Sequence, residues 1–232
     1  MSRIVFVTDF PDAADAARDM VPPEFDFVIA AAQGPEYIEA IRTAEYLVGF
    51  VDMLVDADLF AAAPNLKLVQ LLSAGYDKAD IEAARSAGVP VANNGGANSV
   101  AVSEHALLLM LAVSRQLTAL HTSVTTGHWR GETTPRIHEL RGKTLGIVGL
   151  GNIGKRVARL ATAFGLRMLY YDIDRLNEDQ EDALGVRFRL LPELLGESDF
   201  VSLHVPLNDG TRHLMTTDKL ALMKPSAILI NC

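Results

Sequence analysis

The run Gly149-Leu150-Gly151-Asn152-Ile153-Gly154 constrains this chain more than any other stretch, because it joins two apolar runs, Leu145-Gly146-Ile147-Val148 and Met168-Leu169-Tyr170-Tyr171. In a G-x-G-x-x-G pattern each glycine has its own steric task. Gly149 permits a tight turn off a strand, Gly151 lets backbone amides approach a pyrophosphate, and Gly154 lets the next helix pack closely on the sheet. Val157, Leu160, Ala161 and Phe164 recur at helical spacing, and Gly165 stands where a left-handed residue stops a helix. The pattern predicts strand, turn, helix and strand, with Asn152 and Ile153 at a helix N-terminus whose free N–H groups face an anion. Asp172 follows Gly154 by 18 residues, near the ~20 at which a carboxylate accepts hydrogen bonds from an adenosine ribose. Glycines also gather in turns for structural reasons alone, so a βαβ unit without a nucleotide is the competing reading. The agreement of strand, loop, helix and acid favours a dinucleotide. Asp172 would repel a 2′-phosphate, which points to NAD over NADP, whereas Arg175 just beyond it would attract one.

Composition narrows the classes. The 232 residues, 49% of them apolar, suffice for one large or two modest domains with a sizeable core. A net charge of −8 without a basic block argues against nucleic acid or an anionic membrane as partner. The apolar stretch 106–113 falls far short of the ~20 residues of a membrane span and predicts a buried helix. Met1-Ser2-Arg3 leads straight into Ile4-Val5-Phe6-Val7 with no signal-peptide pattern, and the single cysteine, Cys232, excludes an internal disulfide. These features lead to the expectation of a cytoplasmic chain. His105, His121, His128, His138 and His213 have no paired metal spacing, so no metal site is expected.

Upstream of the glycine loop the chain alternates between strand-like and helix-like segments. Strands are expected at 4–7, 46–50, 66–72 and 89–92, and helices at 57–63 and 80–86, closed by Pro64 and Gly88. Such alternation implies a parallel sheet covered on both faces. A helix over 98–117, with Asn98 or Ser99 as N-cap, should carry the chain out of the first sheet. The polar segment 121–140, with Trp129 as its main apolar anchor, is expected to pack on a neighbour or a partner subunit. Strand starts near Thr144, Arg167, Val186, Phe200 and Ala227 complete the second half.

Five blocks now identify a family: Leu72-Ser73-Ala74-Gly75-Tyr76-Asp77; 93–105; Leu140-Arg141-Gly142-Lys143-Thr144 leading into the glycine loop; Ser198-Asp199-Phe200-Val201-Ser202-Leu203-His204-Val205-Pro206-Leu207; and 223–232. The chain resembles the D-isomer-specific 2-hydroxyacid dehydrogenases over 66–232, and more loosely before that. The resemblance implies an α/β chain of two doubly wound parallel-sheet domains. These are a flavodoxin-like substrate domain at 1–97 and a Rossmann NAD-binding domain at 98–232. It also implies hydride transfer between NAD and a small 2-hydroxy or 2-oxo acid, in a homodimer.

The resemblance further implies site roles. Ala74 and Gly75 would offer backbone N–H groups to the substrate carboxylate, a task that suits a glycine turn. The competing reading is an ordinary turn in which Gly75 serves its own dihedral angles. Tyr76 would line the pocket or fill the core. Beyond the loop glycines and Asp172, the cofactor positions are Val102, His204, Val205, Pro206, Thr211, Asn231 and Cys232. Val102 reads equally as a helix-core valine.

The family's catalytic arginine, glutamate and histidine match no residue here, so no catalytic residue is assigned. On this reading the chain looks like a fragment that lacks the sixth Rossmann strand and the segment returning to the first domain. Its strand 227–231 would then be a bare apolar edge. The alternative function is an NAD-binding sensor or interaction module without catalysis. An intact carboxylate turn favours the enzyme.

Overall fold

The computed structural model describes residues 1–129 and 136–232. The chain divides into two units, Met1–Ala97 and Asn98–Cys232. In the first, β1 (Ser2–Val7), α1 (Pro11–Met20), β2 (Phe25–Ala30), α2 (Pro35–Ile41), β3 (Tyr46–Gly49), α3 (Ala57–Ala62), β4 (Leu68–Leu71), α4 (Ile81–Ala87) and β5 (Val91–Ala92) alternate along the chain. All strand pairs are parallel in the order β2-β1-β3-β4-β5, the flavodoxin-like winding. Val5, Leu47, Val69 and Leu71 are fully buried at its centre, as strands with both faces covered require. Asp56 and Asp80 cap α3 and α4 by accepting from the Leu59 and Ala83 amides, and left-handed Gly88 ends α4.

Sequence patterning did not anticipate β2, α1 or α2. The apolar run of β2 is interrupted by Asp26, which the edge position tolerates because Arg3 on β1 pairs with it at 2.6 Å. In α1 only Ala14 is buried, so a helix rich in alanine and aspartate leaves little apolar periodicity to read.

The second unit starts with α5 (Ser99–Ser114) and α6 (Leu117–Thr125). There follow β6 (Thr144–Val148), α7 (Asn152–Ala163), β7 (Arg167–Tyr171), α8 (Glu178–Leu184), β8 (Val186–Phe188), α9 (Leu191–Glu197), β9 (Phe200–Leu203), α10 (Thr217–Ala221) and β10 (Ile228–Asn231). The parallel order β10-β9-β6-β7-β8 is the Rossmann winding, with β6 central and buried along its whole length. The architecture is therefore α/β with two doubly wound parallel sheets.

The helix expected over 98–117 is broken. It ends at Ser114, whose carbonyl accepts from the His138 amide at 2.8 Å, and left-handed Gln116 (φ 52°) restarts the chain as α6 at a 62° bend. Asn98 holds the N-cap position without a side-chain cap bond, and Ser99 Oγ instead accepts from Arg156 Nε at 3.0 Å. Only one face of 106–113 is buried: Ala106, Leu107 and Met110 are covered while Leu108 and Val113 are exposed. Trp129 is 78% exposed among the described residues; residues 130–135 of that expected packing segment lie outside them. No single helix among the described residues is long and apolar enough to cross a membrane.

Candidate functional site

Gly149 leaves β6 at φ 92°, and its amide donates to the Tyr171 carbonyl of β7 at 2.9 Å. A Cβ there would stand 2.7 Å from the His204 carbonyl oxygen and 2.9 Å from Val205 Cγ1, so glycine is required for both conformation and space. At Gly154 a Cβ would overlap the Gly149 carbonyl oxygen, which shows how tightly α7 seats against the turn. Gly151 caps α7 and lines the cleft, and a Cβ there would meet no protein atom within 4 Å. Among the described residues, no protein acceptor takes the amides of Asn152 and Ile153 in the first turn of α7. A twelve-residue helix thus points free N–H groups and the positive end of its dipole at whatever approaches this loop.

Asp172 stands at the end of β7. Its Oδ2 accepts from the Leu150 amide at 2.6 Å and its Oδ1 from the Asp174 amide at 3.1 Å. The carboxylate therefore ties the glycine loop to β7, a task the sequence pattern did not reveal, and keeps further lone pairs for ribose hydroxyls.

The loop after β9 forms the facing wall. The His204 amide donates to the Val148 carbonyl at 2.7 Å, and its Nε2 lies 2.8 Å from Ser202 Oγ, which is fully buried. Burial lowers the His204 pKa from the usual 6.5 to about 4, so the ring is neutral at neutral pH. The chain then turns through Asn208, whose Oδ1 accepts from the Gly210 and Thr211 amides. The Thr211 hydroxyl is spent inside the same turn on the Pro206 carbonyl at 2.5 Å.

These parts enclose a cleft of about 240 Å³ at the carboxyl ends of β6, β7 and β9, the switch point of the sheet. It brings together Gly149, Gly151, Asp172, His204, Val205, Pro206 and Thr211 of the residues singled out from sequence. Tyr171, Ile173, Asn208, Gly210 and Leu214 also line it and were not anticipated. The turn signal Asn208-Asp209-Gly210 marked that loop, but not which way it folds. Asn152, Ile153 and Gly154 shape the turn from α7 without lining the cleft. Asn231 and Cys232 lie at the end of β10, one strand beyond β9, and Val102 is a half-buried residue in the first turn of α5. Free amide donors at the α7 terminus, a glycine with clear space beside it and an accepting carboxylate at the strand end are the groups a dinucleotide needs.

In the first unit, Ala74, Gly75 and Tyr76 form the exposed turn after β4. Asn93 Nδ2 donates to the Ala74 carbonyl at 2.7 Å and Ser73 Oγ to the Gly75 carbonyl at 2.8 Å, while the Ala79 amide takes the Tyr76 carbonyl. Among the described residues no protein acceptor takes the Ala74 or Gly75 amide. Gly75 does not have a positive φ, so its dihedral angles do not explain the glycine. Tyr76 is 52% exposed and is not a core aromatic.

The geometry has counterparts among known proteins. Residues 107–232 match the model of the D-isomer specific 2-hydroxyacid dehydrogenase NAD binding domain. The glyoxylate reductase of Korarchaeum cryptofilum is 38% identical over 220 residues, which cover 94% of this chain and 63% of that protein. The hydroxypyruvate reductase of Thermotoga maritima is 38% identical over 227 residues, 98% of this chain and 72% of that protein. The chain thus spans roughly two thirds of the length of such relatives. A crystal structure of D-lactate dehydrogenase from Aquifex aeolicus, complexed with NAD and lactic acid, superposes with a TM-score of 0.82 at 28% identity, covering 98% of this chain and 68% of that one. The chain belongs to the D-isomer specific 2-hydroxyacid dehydrogenases and carries their NAD binding domain.

Proposed function

We propose that this chain serves an NAD-dependent oxidoreductase acting between a small D-2-hydroxy acid and its 2-oxo counterpart. The observation that carries the reading is the cleft lined by Gly149, Gly151 and Asp172, beside which α7 begins with its first amides free. NAD supplies a hydride acceptor or donor at C4 of its nicotinamide. The residues of this chain hold it, with α7 amides toward the pyrophosphate and Asp172 toward the adenosine ribose. The open amides of Ala74 and Gly75 fit the carboxylate of a small acid. The names of the relatives support glyoxylate and hydroxypyruvate as first candidates.

Reduction of a 2-oxo acid also needs a proton on the carbonyl oxygen. His204, engaged with Ser202 and holding its proton only below about pH 4, is a poor source at neutral pH. The family resemblance assigns a catalytic arginine, glutamate and histidine to no residue of this sequence. We therefore expect the 232-residue chain to bind cofactor and acid without turnover. The cytoplasm is the proposed compartment. Exposed Leu108, Val113, Leu117 and Val124 on α5 and α6 support a two-fold homodimer, and the net charge of −8 offers nothing to nucleic acid or anionic lipid.

The test combines amide NMR with an assay of NADH oxidation. With NADH present, glyoxylate should shift the Ala74 and Gly75 amides while the absorbance of NADH stays constant. Turnover at the rate of intact relatives would place a proton donor among these residues. An unchanged pair of amides would favour the non-catalytic sensor, a reading that the neutral His204 also fits.

A further inference from the structure

Asp172 argues for NAD, yet Arg175 stands three residues beyond it, and an arginine near the end of this strand is what accommodates a 2′-phosphate. The structure gives that guanidinium another occupation. Arg175 Nε lies 3.7 Å from Glu181 Oε1, and its guanidinium carbon sits 4.8 Å from the centroid of the Phe188 ring. Arg175 does not line the cleft, although its side chain is 63% exposed.

Glu181 is an unusual carboxylate to find on a seven-residue helix of acidic and polar character. It is 5% exposed, in the first turn of α8, and its Oε1 accepts from the Tyr170 hydroxyl at 2.9 Å. That hydroxyl in turn accepts from the Leu176 amide at 2.9 Å, so the turn from Asp172 to Leu176 is pinned to β7 from within the core. Burying a carboxylate costs free energy unless it is paired, and the cation at hand is Arg175. Phe188 offers the platform, packed edge-on to Tyr170 and tilted against Tyr171, which lines the cleft. Pairing and stacking therefore draw Arg175 toward β8.

We infer that Glu181 is a positioning residue for cofactor choice: it holds Arg175 over Phe188 and so keeps this cation from a 2′-phosphate on a ribose bound at Asp172. The inference rests on the cofactor reading above and deepens it. Preference for NAD then has two layers, repulsion by Asp172 and sequestration of Arg175. Glu181→Gln is the diagnostic variant, because the amide oxygen still accepts from Tyr170 while the charge that restrains Arg175 is gone.

Dissociation constants for NADH and NADPH are measured by fluorescence titration on the 232-residue chain, on Arg175→Ala, Glu181→Gln, Phe188→Leu and on the Arg175→Ala/Glu181→Gln double variant. Arg175→Ala alone should change NADPH affinity by less than about twofold. Glu181→Gln should tighten NADPH relative to NADH by about fivefold, the scale of one exposed charge contact, and the double variant should lose that gain. Phe188→Leu should move the ratio in the same direction by about twofold. A gain that persists in the double variant would overturn the inference, since Glu181 would then act through its own charge. So would a loss of NADPH affinity in Arg175→Ala alone, because Arg175 would already reach the phosphate. Should Glu181→Gln fail to fold, Arg175→Ala and Phe188→Leu decide the matter by themselves. A parent chain that binds neither cofactor refutes the cofactor reading, and the inference falls with it; a parent that binds NADH with no shift in any variant refutes the inference alone.

Discussion

Two turns in this molecule leave a parallel strand and present free backbone amides, and they are built in opposite ways. The glycine loop at 149–154 is set by steric necessity. Gly149 is hemmed in by His204 and Val205, Gly154 by the carbonyl of Gly149, and Leu150 is tied to Asp172. The turn at 73–76 is set by side chains reaching back to its carbonyls, Asn93 to Ala74 and Ser73 to Gly75, with no positive φ and only the end of the Asp77 side chain near a Gly75 Cβ. The first kind of turn writes itself into a sequence as obligatory glycines. The second leaves almost no mark, because many residue types satisfy a carbonyl.

The largest expected effect exposes that contrast. Gly154→Ala places a methyl on the Gly149 carbonyl oxygen and should cost about 3 kcal/mol of stability in the second unit, with loss of NADH binding. Gly75→Ala meets only Asp77 Oδ1 at 3.2 Å, the end of an exposed side chain, and should change stability by about 0.5 kcal/mol or less. Denaturant melts of both variants check this, and similar losses would erase the distinction between the two turns.

Acid should separate them next. The unfolded chain protonates His204 near 6.5, whereas the folded chain does so only near 4. Between those values the unfolded state binds the extra proton, so stability is intact above about pH 6.5 and falls as pH drops toward 4. The loss is on the order of 3 kcal/mol at most. Hydrogen exchange should report it at β6 and β9 before β1 and β3. His204→Asn should flatten the slope; an unchanged slope would assign the acid sensitivity elsewhere.

Smaller effects refine the picture of each turn. Asp172→Asn keeps an acceptor for Leu150 but removes the charge, and should narrow the preference for NADH over NADPH by about tenfold. Asn93→Ala removes the support of the Ala74 carbonyl at a cost of about 1 kcal/mol, and should weaken glyoxylate binding while leaving NADH affinity unchanged. Calorimetric titration with each ligand distinguishes the two. A change in NADH affinity on Asn93→Ala would show that the turns are not independent in function.

Legibility followed the same division. The strands of the second unit start within a residue of where the sequence places them, since β6, β7 and β9 are largely apolar runs between glycine and polar breaks. In the first unit β2 was hidden by Asp26, and α1 by its lack of a buried stripe. The cleft residues came from the glycine spacing and the strand-end acid, helped by family resemblance for 204–211. Sequence spacing carries no information on side-chain partners across elements. It therefore missed the bond from Leu150 to Asp172, the withdrawal of Arg175 by Glu181, and the left-handed Gln116 that ends α5 early.

The cleft lined by Gly149, Gly151, Asp172 and the loop 204–211, next to the free N-terminus of α7, is the site at which NAD should bind. Titration of the 232-residue chain with NADH and NADPH, followed by nucleotide fluorescence and by the backbone amides of Asn152 and Ile153, tests it most directly. NADH should bind at one site per chain, more tightly than NADPH, and should shift both amides. Equal affinity for the two cofactors, or binding that leaves those amides unmoved, would contradict the account.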